Sequence, residues 1–427
     1  MRALPPVPEW VTLEHEVQTL LTKQEIHGWY FDERAAWELA STLKKELEET
    51  YEVLRKRHPF VKGSEQTPKR NNKTQGYVLG APFTKLKQFN PTSRDHISWI
   101  LQTFHGWKPT QMTATGKPII DETVLKEMAA SDGPPIALDF LKCLDITKKL
   151  GMISEGVNAW LKLVTTSSRI HHHCSVATST FRQAHRNPNL AQVPSDGRFR
   201  KLFIPSPGQL MCAADLAGIE LRMLSHFLAR YDDGRYADIL LNGDIHQVNA
   251  DKIGISRSAV KTVTYAFLYG AGDEKIGHSY DKLLSSTQAK RKGKEIRAAY
   301  IDAIDGLGKL LEAIKKASEK GSIKAIDGRK IIVDSPHKAL NYCLQGNSAI
   351  LAKRWLILNQ KTIDEVGICC SQLAFIHDEL QFECDPEHVQ DLCTSLVHSA
   401  TAAGEYYNLR VRIDAEAKYG NNWSETH

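Results

Sequence analysis

The sequence has no apolar run near the ~18 residues that a membrane-crossing helix needs. Its opening stretch, Met1 to Trp10, carries prolines where a secretory leader has an apolar centre. Neither sign of charge dominates, with 55 Lys and Arg against 50 Asp and Glu for a net +5, so the chain as a whole is no polycation. None of its eight cysteines forms a C-x-x-C pair, which excludes zinc-ribbon and disulfide-framework readings. Scattered thiols of this kind are expected to be reduced, in a cytoplasmic protein with no membrane partner. No internal repeat recurs. What remains is ordinary globular composition, 42% hydrophobic and 25% charged. The 427 residues exceed one core, since single cores stop growing near ~250–300 residues, and two or three subdomains are expected.

The basic charge is unevenly spread. Nine Lys or Arg fall between Arg55 and Lys87 against one acid, Glu65. Lys290, Arg291, Lys292, Lys294 and Arg297 make a second cluster. Each is a solvated surface or a set of phosphate contacts. Leu39, Leu43, Leu47, Tyr51 and Leu54 recur at helical spacing, predicting one long amphipathic helix over Glu33–Arg57 after a shorter one near Leu13–Ile26. Pro59 to Pro82 reads as a basic loop. Helices are expected near 94–104 and 136–150. Beyond them the chain changes character. Gln209–Ala214 is a short apolar strand ending at Asp215, and a helix follows from Ile219. Ser256 caps another helix running to Tyr269, and two strands flank His377-Asp378-Glu379 as a hairpin.

Asp215 and Asp378 each stand where an apolar strand ends or turns. Read singly they are turn aspartates, common at strand ends. Read together on neighbouring strands they suit two Mg²⁺ ions, which prefer oxygen ligands and bring phosphates with them. Two such ions about 3.5–4 Å apart can activate a hydroxyl and stabilise a leaving oxygen in phosphoryl transfer. Arg257, Lys261, Tyr265 and Tyr269 recur every four residues and form one slowly drifting stripe on their helix. Two cations at a helix N-terminus are unfavourable without an anion, so the stripe is either a triphosphate site with aromatics for a base, or a surface seam. The run His171-His172-His173-Cys174 also invites a metal reading. Adjacent residues do not easily converge on one tetrahedral ion, so a strand edge is expected there.

These residues resemble DNA polymerase family A. Asp215-Leu216-Ala217-Gly218-Ile219-Glu220-Leu221-Arg222 is similar to its motif A. Arg257-x-x-x-Lys261-x-x-x-Tyr265-x-x-x-Tyr269-Gly270 is similar to motif B, and His377-Asp378-Glu379 to motif C, all in the family's order. Thr180-Phe181-Arg182 with Asn187 to Pro194 resembles the template-primer motif, and Asn341-x-x-x-Gln345-Gly346 the minor-groove pair. Gly243-Asp244-Ile245-His246 and Leu268 to Gly277 look closest to the replicative polymerases of short-tailed phages, and the resemblance runs from about Leu13 to Trp423.

The resemblance implies an α+β right-hand polymerase: an antiparallel palm sheet with mostly helical thumb and fingers. The thumb would be 1–165 with its basic loop near 58–88, the palm 166–243 and 337–427, and the fingers 244–336. The activity would be template-directed extension of a primer 3′-OH with dNTPs, in the host cytoplasm if phage-encoded. Asp215 and Asp378 would hold two Mg²⁺, with Mn²⁺ as a substitute, assisted by the Leu216 carbonyl, and Glu379 beside them would be a further catalytic carboxylate. Lys261 would protonate the leaving pyrophosphate. His246, Arg257, Lys261, Tyr265 and Tyr269 would bind the nucleotide, and Glu220 would exclude a ribose 2′-OH. Arg182, Gln192, Arg329, Asn341, Gln345 and His377 would contact primer-template DNA.

Departures from the family pattern are Ala217-Gly218 in motif A, Phe181 in place of a glycine, and His337 where bacterial relatives often carry Arg. No acidic exonuclease motif lies upstream of Leu13, so 3′–5′ exonuclease activity is expected to be missing, and proofreading or processivity would come from separate proteins. The 58–88 segment is short beside the thumb insertion that captures thioredoxin in phage relatives, which makes thioredoxin a doubtful partner. A single-subunit RNA polymerase and a non-catalytic DNA-binding accessory protein are the alternatives.

Overall fold

The computed structural model describes residues 6–130, 133–176, 178–282 and 284–427. The first five residues of the Met1–Trp10 stretch therefore lie outside it. In chain order the principal elements are α1 (Glu9–His27), α2 (Glu33–Arg57), β1 (Phe60–Gln66), β2 (Phe83–Gln88), α3 (Arg94–His105), α4 (Ile136–Leu150), β3 (His173–Ser175), β4 (Ala184–Arg186) and β5 (Leu210–Leu216). After these come α5 (Ile219–Leu228), α6 (Ile245–Ile253), α7 (Arg257–Leu268), α8 (Ala339–Val366), β6 (Cys370–Ile376), β7 (Glu379–Cys384), α9 (Val389–Tyr406) and β8 (Ala415–Gly420). No helix among the described residues is long and apolar enough to cross a membrane.

The chain divides into two compact units. The smaller, Arg34–Lys162, is built around the apolar stripe of the long helix α2. Leu54 from that stripe joins Val61, Phe89, Ile97, Ile100, Leu101 and Phe140 in one core, each such side chain contributing about 1.5–3 kcal/mol of burial free energy. The stretch read from sequence as a loop holds a β-hairpin instead, β1 against β2 with Phe60 opposite Gln88. Only Val61 of β1 is buried, so the hairpin rests on the core by one residue and keeps its lysines in solvent.

The larger unit joins α1 to Leu163–His427. Its centre is a four-stranded antiparallel sheet in the order β6-β7-β5-β8. β5 is interior, and Met211, Cys212, Ala213 and Ala214 are all buried. A strand covered on both faces shows a continuous apolar run, with no alternation. α8 is buried along most of its 28 residues, and its Trp355 donates to the Leu396 carbonyl of α9 (2.8 Å). α1 packs on β6 and α8. It is pinned there by Glu14, which accepts from the fully buried Lys353 at 2.7 and 2.9 Å. α1, part of the 1–165 stretch expected to form a thumb, thus groups with the sheet.

Candidate active site

The sheet brings the two expected carboxylates together. Asp215 is the sixth residue of β5, and it stands opposite Glu379 on β7 and Glu416 on β8. The β6–β7 hairpin turns at His377 and Asp378, with His377 in the left-handed region at φ 59°. The Leu216 amide donates to the Asp378 carbonyl (3.0 Å), fastening this turn to the end of β5. Asp215 reaches solvent, yet the protein packed around it, with the Asp378 and Glu379 charges, pushes its carboxyl up to about 7. Burial and the Glu220 charge push Asp378 up to about 6, against the pull of Arg182. Acids crowded this way gain from a cation more than from each other's company.

Beyond Asp215 the chain turns into α5 through Gly218, whose φ of 55° a side chain would strain. This start places Glu220 in the first turn. Its Oε1 accepts from Arg182 Nη2 and from the Tyr269 hydroxyl, both at 2.9 Å. Burial and the Glu220 charge push the Tyr269 hydroxyl up to about 12, so it stays a donor.

Tyr269 ends the stripe on α7, whose N-cap Ser256 accepts the Ala259 amide (3.3 Å). Arg257 and Lys261 are exposed and Tyr265 is half-buried. The Tyr265 and His246 ring centroids are 6.3 Å apart. Arg257 Nε donates to Asp244 (2.7 Å), which also caps α6 by accepting the His246 and Gln247 amides. Burial and the Arg257 charge hold His246 below its ordinary range, with Asp244 opposing. The stripe is therefore a cationic surface with aromatics at its foot.

Asn341 Nδ2 donates to the Leu268 carbonyl (3.4 Å), linking the start of α8 to the end of α7. Gln345 lies one turn further along α8, half-buried, and Gln192 is exposed on a short helical turn over 190–192. His377 is lowered by burial first and then by the Arg182 charge. Arg329 stands apart. Its side chain is 5% exposed and is committed to Asp327 (2.6 Å) and Glu14. That internal pairing removes it from the set of residues able to face DNA.

Residues 62–425 match the sequence profile described as DNA polymerase family A. This chain belongs to DNA polymerase family A. Two relatives are the DNA-directed DNA polymerases of Enterobacteria phage T3 and Escherichia phage T7. Each is 33% identical, over 98% of this chain and 70% of the relative. Among solved structures, the POL domain of Pol1 from M. smegmatis, in complex with DNA primer-template and dNTP, superposes with a TM-score of 0.77. That match has 20% identity and covers 97% of this chain and 70% of that one. The α+β right-hand polymerase architecture expected from the sequence is the fold found.

In this family A chain Glu379 behaves differently from its two aspartate neighbours. It is 7% exposed. Burial alone would raise its proton affinity, but hydrogen bonding with His427 and Gln381 outweighs this and holds the carboxyl below its usual range. Gln381 Nε2 (2.5 Å) and Trp423 Nε1 (2.8 Å) donate to its Oε1, and His427 Nδ1 lies 3.4 Å from Oε2. Glu379 is thus a buried anion tied to the C-terminal segment. Trp423, His427 and Asp244 were missed as members of the site. The phage-like Gly-Asp-Ile-His run held the signal for Asp244, and nothing local marked the other two.

Proposed function

We propose that this chain is a DNA-directed DNA polymerase that extends a primer 3′-OH with deoxynucleoside triphosphates along a DNA template. The observation that carries the reading is the Asp215–Asp378 pair at one end of the sheet, with proton affinities raised by burial and by neighbouring carboxylates. Hard oxygen donors in that state fit divalent cations, Mg²⁺ first. Asp215, Asp378 and the Leu216 carbonyl would hold them. Bound there, the ions supply a lowered pKa for the attacking hydroxyl and charge neutralisation for the leaving pyrophosphate.

The protein's own groups do the rest. Arg257 and Lys261 neutralise the triphosphate, Arg257 exchanging its Asp244 partner for phosphate oxygens, with His246 beside them. Lys261 gives a proton to the departing pyrophosphate. Tyr265 stacks on the incoming sugar and base, and Tyr269 borders the templating base. Glu220, fixed by Arg182 and Tyr269, fills the space a ribose 2′-OH would need. Arg182, Gln345, Asn341 and His377 hold the primer end and the minor groove, and Gln192 reaches the template. In this reading the thumb centres on Arg34–Lys162, the fingers occupy 244–336, and the sheet with α8 forms the palm.

The test is primer extension with dNTPs or NTPs, with and without Mg²⁺. Asp215→Asn and Asp378→Asn should each lower incorporation by about 10²-fold or more while primer-template binding persists. Incorporation near wild-type levels in either variant would sink the assignment.

A further inference from the structure

We infer that His172, Cys174 and His185 form a binding site for a thiophilic d¹⁰ cation, zinc, behind the turn that carries Asp378. The strand pattern itself builds the site. His172 and Cys174 are two residues apart in extended chain and so share a face, with His173 turned the other way. Cys174 is paired directly with His185 across the β3–β4 ladder. The three side chains are therefore neighbours, although the four adjacent residues of the His-His-His-Cys run could not be.

Burial and distance support the assignment. His172, Cys174 and His185 are 0%, 1% and 8% exposed. One ligating atom from each lies within 4.8 Å of the others. Cys174 Sγ and His185 Nδ1 are 3.2 Å apart. A tetrahedral centre with Zn–S of about 2.3 Å and Zn–N of about 2.0–2.1 Å needs roughly 3.5 Å there, so a shift of a few tenths suffices. The imidazoles of His172 and His185 stack at 5.8 Å. Their far nitrogens, His172 Nδ1 and His185 Nε2, are buried and lack a hydrogen-bond partner. Burying two imidazoles this way is costly unless their near nitrogens gain something.

A fourth donor is at hand. The Gln24 amide lies 3.1 Å from His172 Nε2 and 3.5 Å from Cys174 Sγ, and its other end bonds Gln372 (2.7 Å). Reversing both amides together keeps the Gln24–Gln372 bond and turns Gln24 Oε1 toward the cluster. Nitrogen, sulfur and one neutral oxygen suit zinc and not Mg²⁺, which separates this site from the aspartate pair. Binding would release the Cys174 thiol proton to solvent. The ion would tie α1 to β3 and β4. Through the edge-on contact of the His185 and His377 rings, 6.1 Å between centroids, it would also support the residue next to Asp378.

The test is metal analysis of the reduced, purified chain, followed by replacement with Co²⁺. Wild type should hold about one equivalent of zinc, and its Co²⁺ form should show the strong visible bands of tetrahedral cobalt with a thiolate charge-transfer band. Cys174→Ser and His185→Gln should weaken binding beyond the about 10–100-fold typical of losing a group that merely supports a ligand. His173→Gln and Asp215→Asn should retain the ion. So should Cys393→Ser, which disrupts a close thiol pair elsewhere, Cys212 and Cys393 at 3.1 Å. Should the Cys174 or His185 variant fail to fold, the wild-type cobalt spectrum still decides. A wild type that takes up no zinc or cobalt, or one that accepts only copper, overturns the assignment. So does a Cys174→Ser protein that keeps its full equivalent.

Discussion

Glu220 is held by two donors on one oxygen, and this makes its role measurable. If Glu220 is the gate proposed above, Glu220→Ala should raise the relative use of ribonucleotides by roughly 10–100-fold. Tyr269→Phe removes one donor and leaves Arg182 in place, so discrimination should fall by only a few-fold. The ratio of kcat/KM for dNTP and rNTP in each variant checks the order, and Tyr269→Phe equalling or exceeding Glu220→Ala would mean that the tyrosine, not the carboxylate, sets the limit. At this scale the grouping of the side chains was largely legible in the sequence. Asp215, Asp378 and the α7 stripe announce themselves because carboxylates at strand ends and cations at a helix start are costly unless used. Trp423 and His427 announce nothing, because their bearing on Glu379 exists only once the C-terminal segment folds back beside β7. Arg329 differs because a motif position does not reveal that its side chain is buried and paired with Asp327 and Glu14.

Elements show the opposite balance. α2 is found at Glu33–Arg57 as its heptad-like leucines predict, since an amphipathic face carries its own period. The β1–β2 hairpin was read as loop because its residues lack the alternation that marks a half-buried strand; nearly every side chain in it faces solvent. α1 was legible as a helix but not as a partner of the sheet. That partnership depends on Lys353, an ammonium with no exposure, held by Glu14 and lowered by burial against the pull of that carboxylate. Glu14→Ala removes the carboxylate that Lys353 and Arg329 share, leaves Lys353 buried without its hydrogen-bonded partner, and should destabilise the fold by about 3–5 kcal/mol. Glu14→Leu combined with Lys353→Met should recover part of that loss, with Arg329 keeping Asp327 as its partner. Denaturant titration of the two proteins reports the difference, and equal midpoints would show that the ion pair does not fix α1.

For the whole molecule, acid should be the weak side. His226 is buried, and its Nδ1 accepts the Arg410 amide (3.1 Å). Burial, then the Arg410 and Arg230 charges, pushes it down to about 4. The unfolded chain takes up that proton near pH 6.5, so the contribution of this group is flat above that value. It declines as pH falls from about 6.5 toward 4, by up to about 1.4 kcal/mol per pH unit for this one group. His226→Asn keeps an acceptor without a titrating ring and should flatten the decline, as read from urea midpoints between pH 8 and 4.5. An unchanged slope would remove His226 as a contributor.

The order of strands also sets a schedule for synthesis. β5 lies between β7 and β8, yet it leaves the ribosome long before either. At about 5–20 residues per second, β8 follows it by roughly 10–40 s. Until β7 emerges, Leu210 to Ala214 is an apolar strand with both edges open, and one edge stays open until β8 follows. Arg34–Lys162, a separate compact unit, can finish folding first. The nascent chain therefore carries a finished domain ahead of an unpaired, aggregation-prone strand, and a holdase that binds short apolar segments would find its target at β5.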